Sequence, residues 1–293
     1  MTPQASTPLD VDHLRGWVGS TEETHELIAA APLAGLAATL DRDEPMPADG
    51  DPVPPGGSWL FFQPRVAMAG LGRDGHPARG GFLPPVPLPR RMFAGGRFEF
   101  AAPLRVGVAA RRVSTVKTVD AKDGASGPLV FVTVRHEVFD GADFCLSEEH
   151  DIVYREDPDP ANPPPAPKAL PAPGTAVWRR TVHPTPVMLF RYSAVTFNGH
   201  RIHYDRDYAT GVEGYPGLVF HGPLTATLLM DLCRRERPEA TMTGFSFRAR
   251  RPLFDTADFT IAGEPAADGA SARLWALDPE GALAMDATAT FAA

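Results

Sequence analysis

Only two cysteines, Cys145 and Cys233, occur in 293 residues, with no CxxC pair and no histidine cluster around either. They read as small buried hydrophobes in a reducing compartment, not as a disulfide frame or a zinc knuckle. No stretch reaches the roughly 18 apolar residues of a membrane span. The start, MTPQASTPLDVDHLRGW, lacks the basic-then-apolar order of a signal peptide. A cytoplasmic protein with no membrane partner is therefore expected. Positive charge is also scarce: 28 Lys and Arg stand against 36 Asp and Glu, for a net charge of -8. That balance argues against nucleic-acid binding, which needs a basic face. There is neither a GxGxxG after a strand nor a Walker loop, so no redox or nucleotide cofactor is expected.

Proline, by contrast, is plentiful at 32 residues. The densest run, EDPDPANPPPAPKALPAPG (Glu156 to Gly174), blocks both helix and sheet and reads as a linker. It divides the chain into residues 1–155, 156–174 and 175–293. In the first part, residues 21–40 look largely helical, with Ser20 or Thr21 as cap and acids in the first turn. Strands are expected near 97–101, 106–119, 128–139 and 143–154, where β-branched and aromatic residues concentrate. In the third part, HGPLTATLLMDLCRRERP places Leu224, Leu228, Leu229 and Leu232 on one helical face, and Pro238 stops it. Strands are expected near 242–250, 257–264, 271–277 and 282–291. In the last, Leu283, Met285, Ala287, Ala289 and Phe291 alternate with Ala284, Asp286, Thr288 and Thr290.

FEFAAPL (Phe98 to Leu104) aligns without gaps on FRARRPL (Phe247 to Leu253), and each is followed by three more strands. A helix against a curved antiparallel sheet, made twice and packed as a pseudo-dimer, is an α+β architecture.

Residues 190–224, FRYSAVTFNGHRIHYDRDYATGVEGYPGLVFHGPL, concentrate His200, His203 and His221 with Asn198, Arg201 and Asp205. The Asn198-Gly199 turn brings Asn198 and His203 within reach of each other. An imidazole moves protons near neutral pH, and an amide can hold a water. His221-Gly222-Pro223 opens the helix, and a helix start offers free N–H groups to a developing oxyanion. A zinc site built from His200 and His203 with Asp205 or His221 is a rival, but the segment has no recognisable ligand framework, and no metal is expected.

NGHRIH and VFHGPL together resemble the signature of the MaoC-like, (R)-specific enoyl-CoA hydratase family, which runs D-x-N-P-x-H and then V-H-G-(M/L). The resemblance implies a double hot-dog fold. It also implies a hydratase/dehydratase that interconverts a 2-enoyl thioester and a 3-hydroxyacyl thioester. His203 matches the family's catalytic histidine, and Gly222 the glycine whose N–H polarises the thioester carbonyl. Asn198 falls where that family has aspartate. FNGHRIHYD is similar to a sub-branch with asparagine there: mesaconyl-C4-CoA (3-methylfumaryl-CoA) hydratases, itaconyl-CoA hydratases and 3-hydroxyacyl-thioester dehydratases. HLRGWVGSTEETHELI and FLPPVPLPRRMFAGGRFEF resemble its degenerate first hot dog, so one active site per chain is expected.

The expected roles follow. His203 is the base, Asn198 holds the water, and Gly222 stabilises the enolate oxygen. Arg201, Arg90 and Arg91 are candidates to meet a distal carboxylate. Arg248 and Arg250 are candidates for CoA phosphates, and His221 for substrate binding. The expected partner is an acyl-CoA, with acyl carrier protein as the alternative carrier, and the assembly a monomer or homodimer. Two other readings compete: a hot-dog thioesterase using Asp231, with Thr225 and Thr227 on the same helix, and a non-catalytic acyl-thioester-binding protein.

Overall fold

The computed structural model describes residues 9–124, 127–157 and 168–292. Helix α1 (Val11–Arg15) leads into strand β1 (Thr21–Leu27) and helix α2 (Ala30–Thr39). After a 3-10 turn at Gly57–Leu60 come β2 (Arg90–Phe100), β3 (Ala109–Gly124), β4 (Gly127–Asp140) and β5 (Asp143–Arg155). Then follow β6 (Trp178–Val182), α3 (Pro186–Val195) and α4 (Gly222–Glu236). The chain closes with β7 (Met242–Ala249), β8 (Phe259–Pro265), β9 (Ser271–Leu277) and β10 (Leu283–Phe291).

One expected helix is half wrong. Residues 21–27 form an edge strand paired along its length with β3, and the helix begins only at Ala30. Pro32 explains this: it is tolerated in a first helical turn but would break a helix that began at residue 21. The charges of TEETHEL, read as first-turn acids, guard a sheet edge instead. The expected strands all form, within a few residues of their bounds apart from β2, which starts at Arg90. Three short elements, α1, β6 and α3, went unread. Of the proline-rich run, residues 158–167 lie outside the described residues, and its described flanks carry neither helix nor strand.

The ten strands of the described residues join one antiparallel sheet in the order β1-β3-β4-β5-β2-β7-β10-β9-β8-β6. Read from either edge, the order is the same: β1, β3, β4, β5, β2 correspond to β6, β8, β9, β10, β7. The seam is the β2–β7 pair, where Gly96 faces Phe247 and Phe98 faces Phe245. The echoed FEFAAPL and FRARRPL end these two seam strands. The likeness continues beyond them. The Leu104 carbonyl accepts from Val53 N–H (2.7 Å), and the Leu253 carbonyl accepts from Phe220 N–H (2.8 Å). Val53 therefore stands where Phe220 stands, and the 3-10 turn at Gly57–Leu60 takes the place of the start of α4. One half carries a long helix where the other has a single turn.

The surviving helix is more deeply buried than its leucine stripe suggests. Every residue from Leu224 to Cys233 is buried, polar ones included. Sheet strands β6 to β10 flank it, and Gly56 closes in from the first half against Met230 and Thr227. Where no long helix covers the first half's sheet, its inner face carries polar groups. His136 Nδ1 and Ser114 Oγ lie 2.8 Å apart, and Trp59 Nε1 donates to Glu148 at 2.5 Å.

Candidate active site

His203 sits in a 3-10 turn at Arg201–His203, between α3 and α4, and is 7% exposed. Its Nδ1–H donates to the Val219 carbonyl at 2.7 Å. That bond fixes the tautomer and leaves Nε2 with a free lone pair. Burial pushes the imidazole down to about 4, against the opposing effect of the Val219 bond. At neutral pH His203 is therefore an uncharged proton acceptor.

The ring stacks 3.7 Å from that of His221, the residue before α4. His221 is fully buried; its Nε2 is 2.9 Å from Ser193 Oγ, and its Nδ1 has no partner among the described residues. Its burial likewise pushes it well below the ordinary histidine value. Ser193 reaches it because α3 is anchored by Thr185, whose Oγ1 accepts from Met188 N–H (3.2 Å), with Pro186 in the first turn.

Gly222 is the first residue of α4. Pro223 follows it and has no N–H, and the next helical bond runs from Thr225 N–H to the His221 carbonyl. Among the described residues the Gly222 N–H makes no backbone hydrogen bond, so it is available at the positive end of the helix. Phe93 of β2 borders it, 3.5 Å from the position a Cβ on Gly222 would occupy. Phe93 in turn packs edge-on against His150 (4.9 Å) and near Trp59 (6.2 Å). The helix start thus opens toward the polar inner face of the first half.

Asn198 differs from its expected geometry. Its Oδ1 accepts the His200 N–H at 2.9 Å, closing a local turn. Its NH2 is left to donate to a water. The left-handed backbone of this turn falls on Phe197 (φ 48°), not on Gly199. Gly199 is needed for another reason. A loop from the first half, residues 72–77, docks backbone to backbone on the motif: a Cβ on Gly199 would lie 3.0 Å from the Gly75 carbonyl oxygen, and one on Gly75 would lie 1.9 Å from the Gly199 carbonyl oxygen. Arg201 N–H donates to the Asp74 carbonyl (2.9 Å), tying the two segments.

That docking brings in residues the sequence reading missed. His76 lies 4.1 Å from His200, ring to ring, and His200 meets His203 edge-on at 5.2 Å. Asp74 Oδ2 pairs with His76 Nδ1 at 3.0 Å. Among the described residues, Asp74, His76 and His200 present ligand atoms within 4.8 Å of one another, a group that could hold a cation. Asp205, a candidate ligand on sequence grounds, turns away to Arg201 and the Tyr208 N–H.

The arginines separate clearly. Arg90 is bound to Asp157 and Glu213, and Arg201 to Asp205 and over the Tyr208 ring. Arg91 faces the site, close enough for its charge to depress both His76 and His200, and lies against the Tyr154 hydroxyl. Arg248 is exposed on β7, while Arg250, just past the strand's end, pairs with Asp286. Asp231 is 2% exposed and held by Arg42 (2.8 Å), Arg235 (2.7 Å) and Arg180 (3.4 Å). It lies about 14 Å along α4 from Gly222 at 1.5 Å per residue, far from the histidines. A cleft of about 520 Å³ lined by Phe100, Arg234, Arg237 and Phe291 also sits at that far end, away from this chemistry.

Residues 56–255 match the family described as hydroxyacyl-thioester dehydratase type 2. Over 272 residues the chain is 48% identical to mesaconyl-C(4)-CoA hydratase of Chloroflexus aurantiacus, covering 93% of this chain and 95% of that one. A MaoC-like dehydratase structure from Phytophthora capsici has a TM-score of 0.69 at 14% identity, covering 97% and 98%. A Mycobacterium tuberculosis protein described as a double hotdog fold has a TM-score of 0.53 at 14% identity, covering 99% and 100%. No described helix is long and apolar enough to cross a membrane.

Proposed function

The chain belongs to the hydroxyacyl-thioester dehydratase type 2 family, and from that premise we propose that it interconverts a 2-enoyl thioester and a 3-hydroxyacyl thioester at His203. The protein is a carbon–oxygen lyase with a double hot-dog fold. The observation that carries the site assignment is the pairing of a free His203 Nε2 with the unpaired Gly222 N–H at the start of α4.

In hydration, the thioester carbonyl lies against Gly222 N–H. His203 Nε2 takes a proton from water as the water oxygen bonds to the β-carbon. The double-bond electrons move onto the carbonyl oxygen, where the helix start stabilises the enolate. The proton then returns to the α-carbon. Dehydration is the reverse. Asn198 contributes through its NH2, which donates to the attacking oxygen.

The substrate class we favour is a short dicarboxylyl-CoA, such as mesaconyl-C4-CoA, on the strength of the 48% identical relative. Arg91 is the arginine to read its distal carboxylate, because Arg90 and Arg201 already have carboxylate partners. Arg91→Gln should raise KM for mesaconyl-C4-CoA about ten- to hundredfold, the value of a charge-assisted hydrogen bond, and leave crotonyl-CoA hydration unchanged. Equal losses on both substrates would remove Arg91 from that role.

The function itself is tested by following loss of enoyl-thioester absorbance over crotonyl-CoA, a medium-chain enoyl-CoA, mesaconyl-C4-CoA and itaconyl-CoA. His203→Ala is expected to lower turnover of the preferred substrate by at least about 100-fold. Turnover of none by the wild type would overturn the reading.

A further inference from the structure

A base as deeply buried as His203 has a difficulty: the proton it takes from water places a positive charge among groups that resist it. His203 is flanked by His221, which is buried, and His200, which is half-buried, and neither can accept that charge easily. Beyond them stand two cations, Arg79 and Arg91, which face His76. In a histidine-aspartate dyad a carboxylate offsets the imidazolium charge. Here the motif position holds Asn198, which is uncharged and occupied by the His200 N–H.

A carboxylate does reach the row, from the other half of the molecule. Asp74 hydrogen-bonds His76 through Nδ1 at 3.0 Å and through the backbone N–H at 3.1 Å. His76 packs on His200 at 4.1 Å, and His200 on His203 at 5.2 Å. The attraction of Asp74 is felt at His200, where it opposes the lowering effects of burial, His76, His203 and Arg91. Asp74 itself is held ionised: burial alone would raise its carboxyl, but the hydrogen bonds from His76 bring it well below the usual carboxylate range. The Gly75–Gly199 approach gives this arrangement its rigidity, since any side chain on Gly75 would push the loop off the motif.

We propose that Asp74, acting through His76 and His200, is a positioning residue that supplies the negative charge for the proton His203 takes from water, in place of the aspartate the motif lacks. The active site is then assembled from both halves. The inference rests on the hydratase reading above.

The test is the pH dependence of kcat/KM for the preferred enoyl-CoA in wild type, Asp74→Asn and Asp74→Asn/Asn198→Asp. The single change keeps an oxygen for the His76 N–H and removes only charge. Without that charge protonated His203 is less stable, so its titration falls. The acidic limb of the profile should move to lower pH while kcat drops about 100-fold and KM changes little. Adding Asn198→Asp should restore part of kcat and return the limb toward higher pH. If the single variant melts well below wild type, Asp74→Glu carries the test, because it disturbs the same turn but keeps the charge: its acidic limb should stay near the wild-type position while that of Asp74→Asn moves. An acidic limb that does not move, or a double variant no better than the single one, overturns the inference. Absence of turnover in the wild type instead removes the hydratase reading, and this inference with it.

Discussion

At the level of single residues, the decisive contact is between two glycines. Gly75 adopts φ +86°, a conformation side chains disfavour, and a Cβ there would collide with the Gly199 carbonyl. Gly75→Ala should displace the 72–77 loop by an ångström or more. A misplacement of that size near reacting groups is worth about 100-fold in rate. Steady-state kinetics beside a melting curve checks this: a rate loss with little change in melting temperature is the expected pattern. His203 and Gly222 were legible in the sequence because each lies in a short local motif, NGHRIH or VFHGPL. Asp74 and His76 were not. GRDGHPARGG reads as an ordinary turn-rich loop, and only the fold brings it across more than a hundred residues to His200. Ser193 was hidden differently, on the inner face of a helix that went unread.

Among the elements, α3 shows how little signal is needed and how easily it is passed over. Thr185-Pro186 is a cap followed by a first-turn proline, a pattern with a mechanism behind it. Thr185→Ala removes the acceptor for Met188 N–H and should destabilise the fold by about 1 kcal/mol. Chemical denaturation would detect the change as a lower midpoint at constant slope. The same kind of signal, Pro32, would have separated β1 from α2. Helix α4 was read correctly in position, but its burial exceeds its leucine stripe. Periodicity records which residues are apolar; it cannot record that Thr225, Thr227 and Asp231 are also enclosed. For Asp231 the enclosure decides the role. Its three arginines tie α4 to β6 and to the segment after α2, so it is structural and not a thioesterase nucleophile. Asp231→Asn removes the buried charge that three partly exposed arginines share and should destabilise by about 1–3 kcal/mol. The acidic limb of the activity profile should stay in place.

Taken whole, the molecule keeps several buried and half-buried histidines neutral. His76, His136, His200, His203 and His221 are all lowered, with burial the leading cause in each. The sign follows directly. Below the ordinary histidine value near 6.5 the unfolded chain binds protons that the native chain refuses, so stability falls as pH drops. For His203 the window runs from about 6.5 down to about 4. Thermal melts across pH 7.5 to 4.5 should therefore show a steep fall through that window, and a flat profile would contradict the neutral state assigned to these rings. The overall architecture was legible because the FEFAAPL and FRARRPL echo marked both seam strands. The single turn that stands in place of one central helix was not, since an absent element leaves no pattern to read.

The seam between β2 and β7 has one more consequence. In a symmetric pair of separate chains, every substitution appears twice, once on each side of the axis. Fusing the halves lifts that constraint. One copy could lose its helix and gain Asp74 and His76 while the other kept His203, a division of labour that no homodimer of identical subunits can encode.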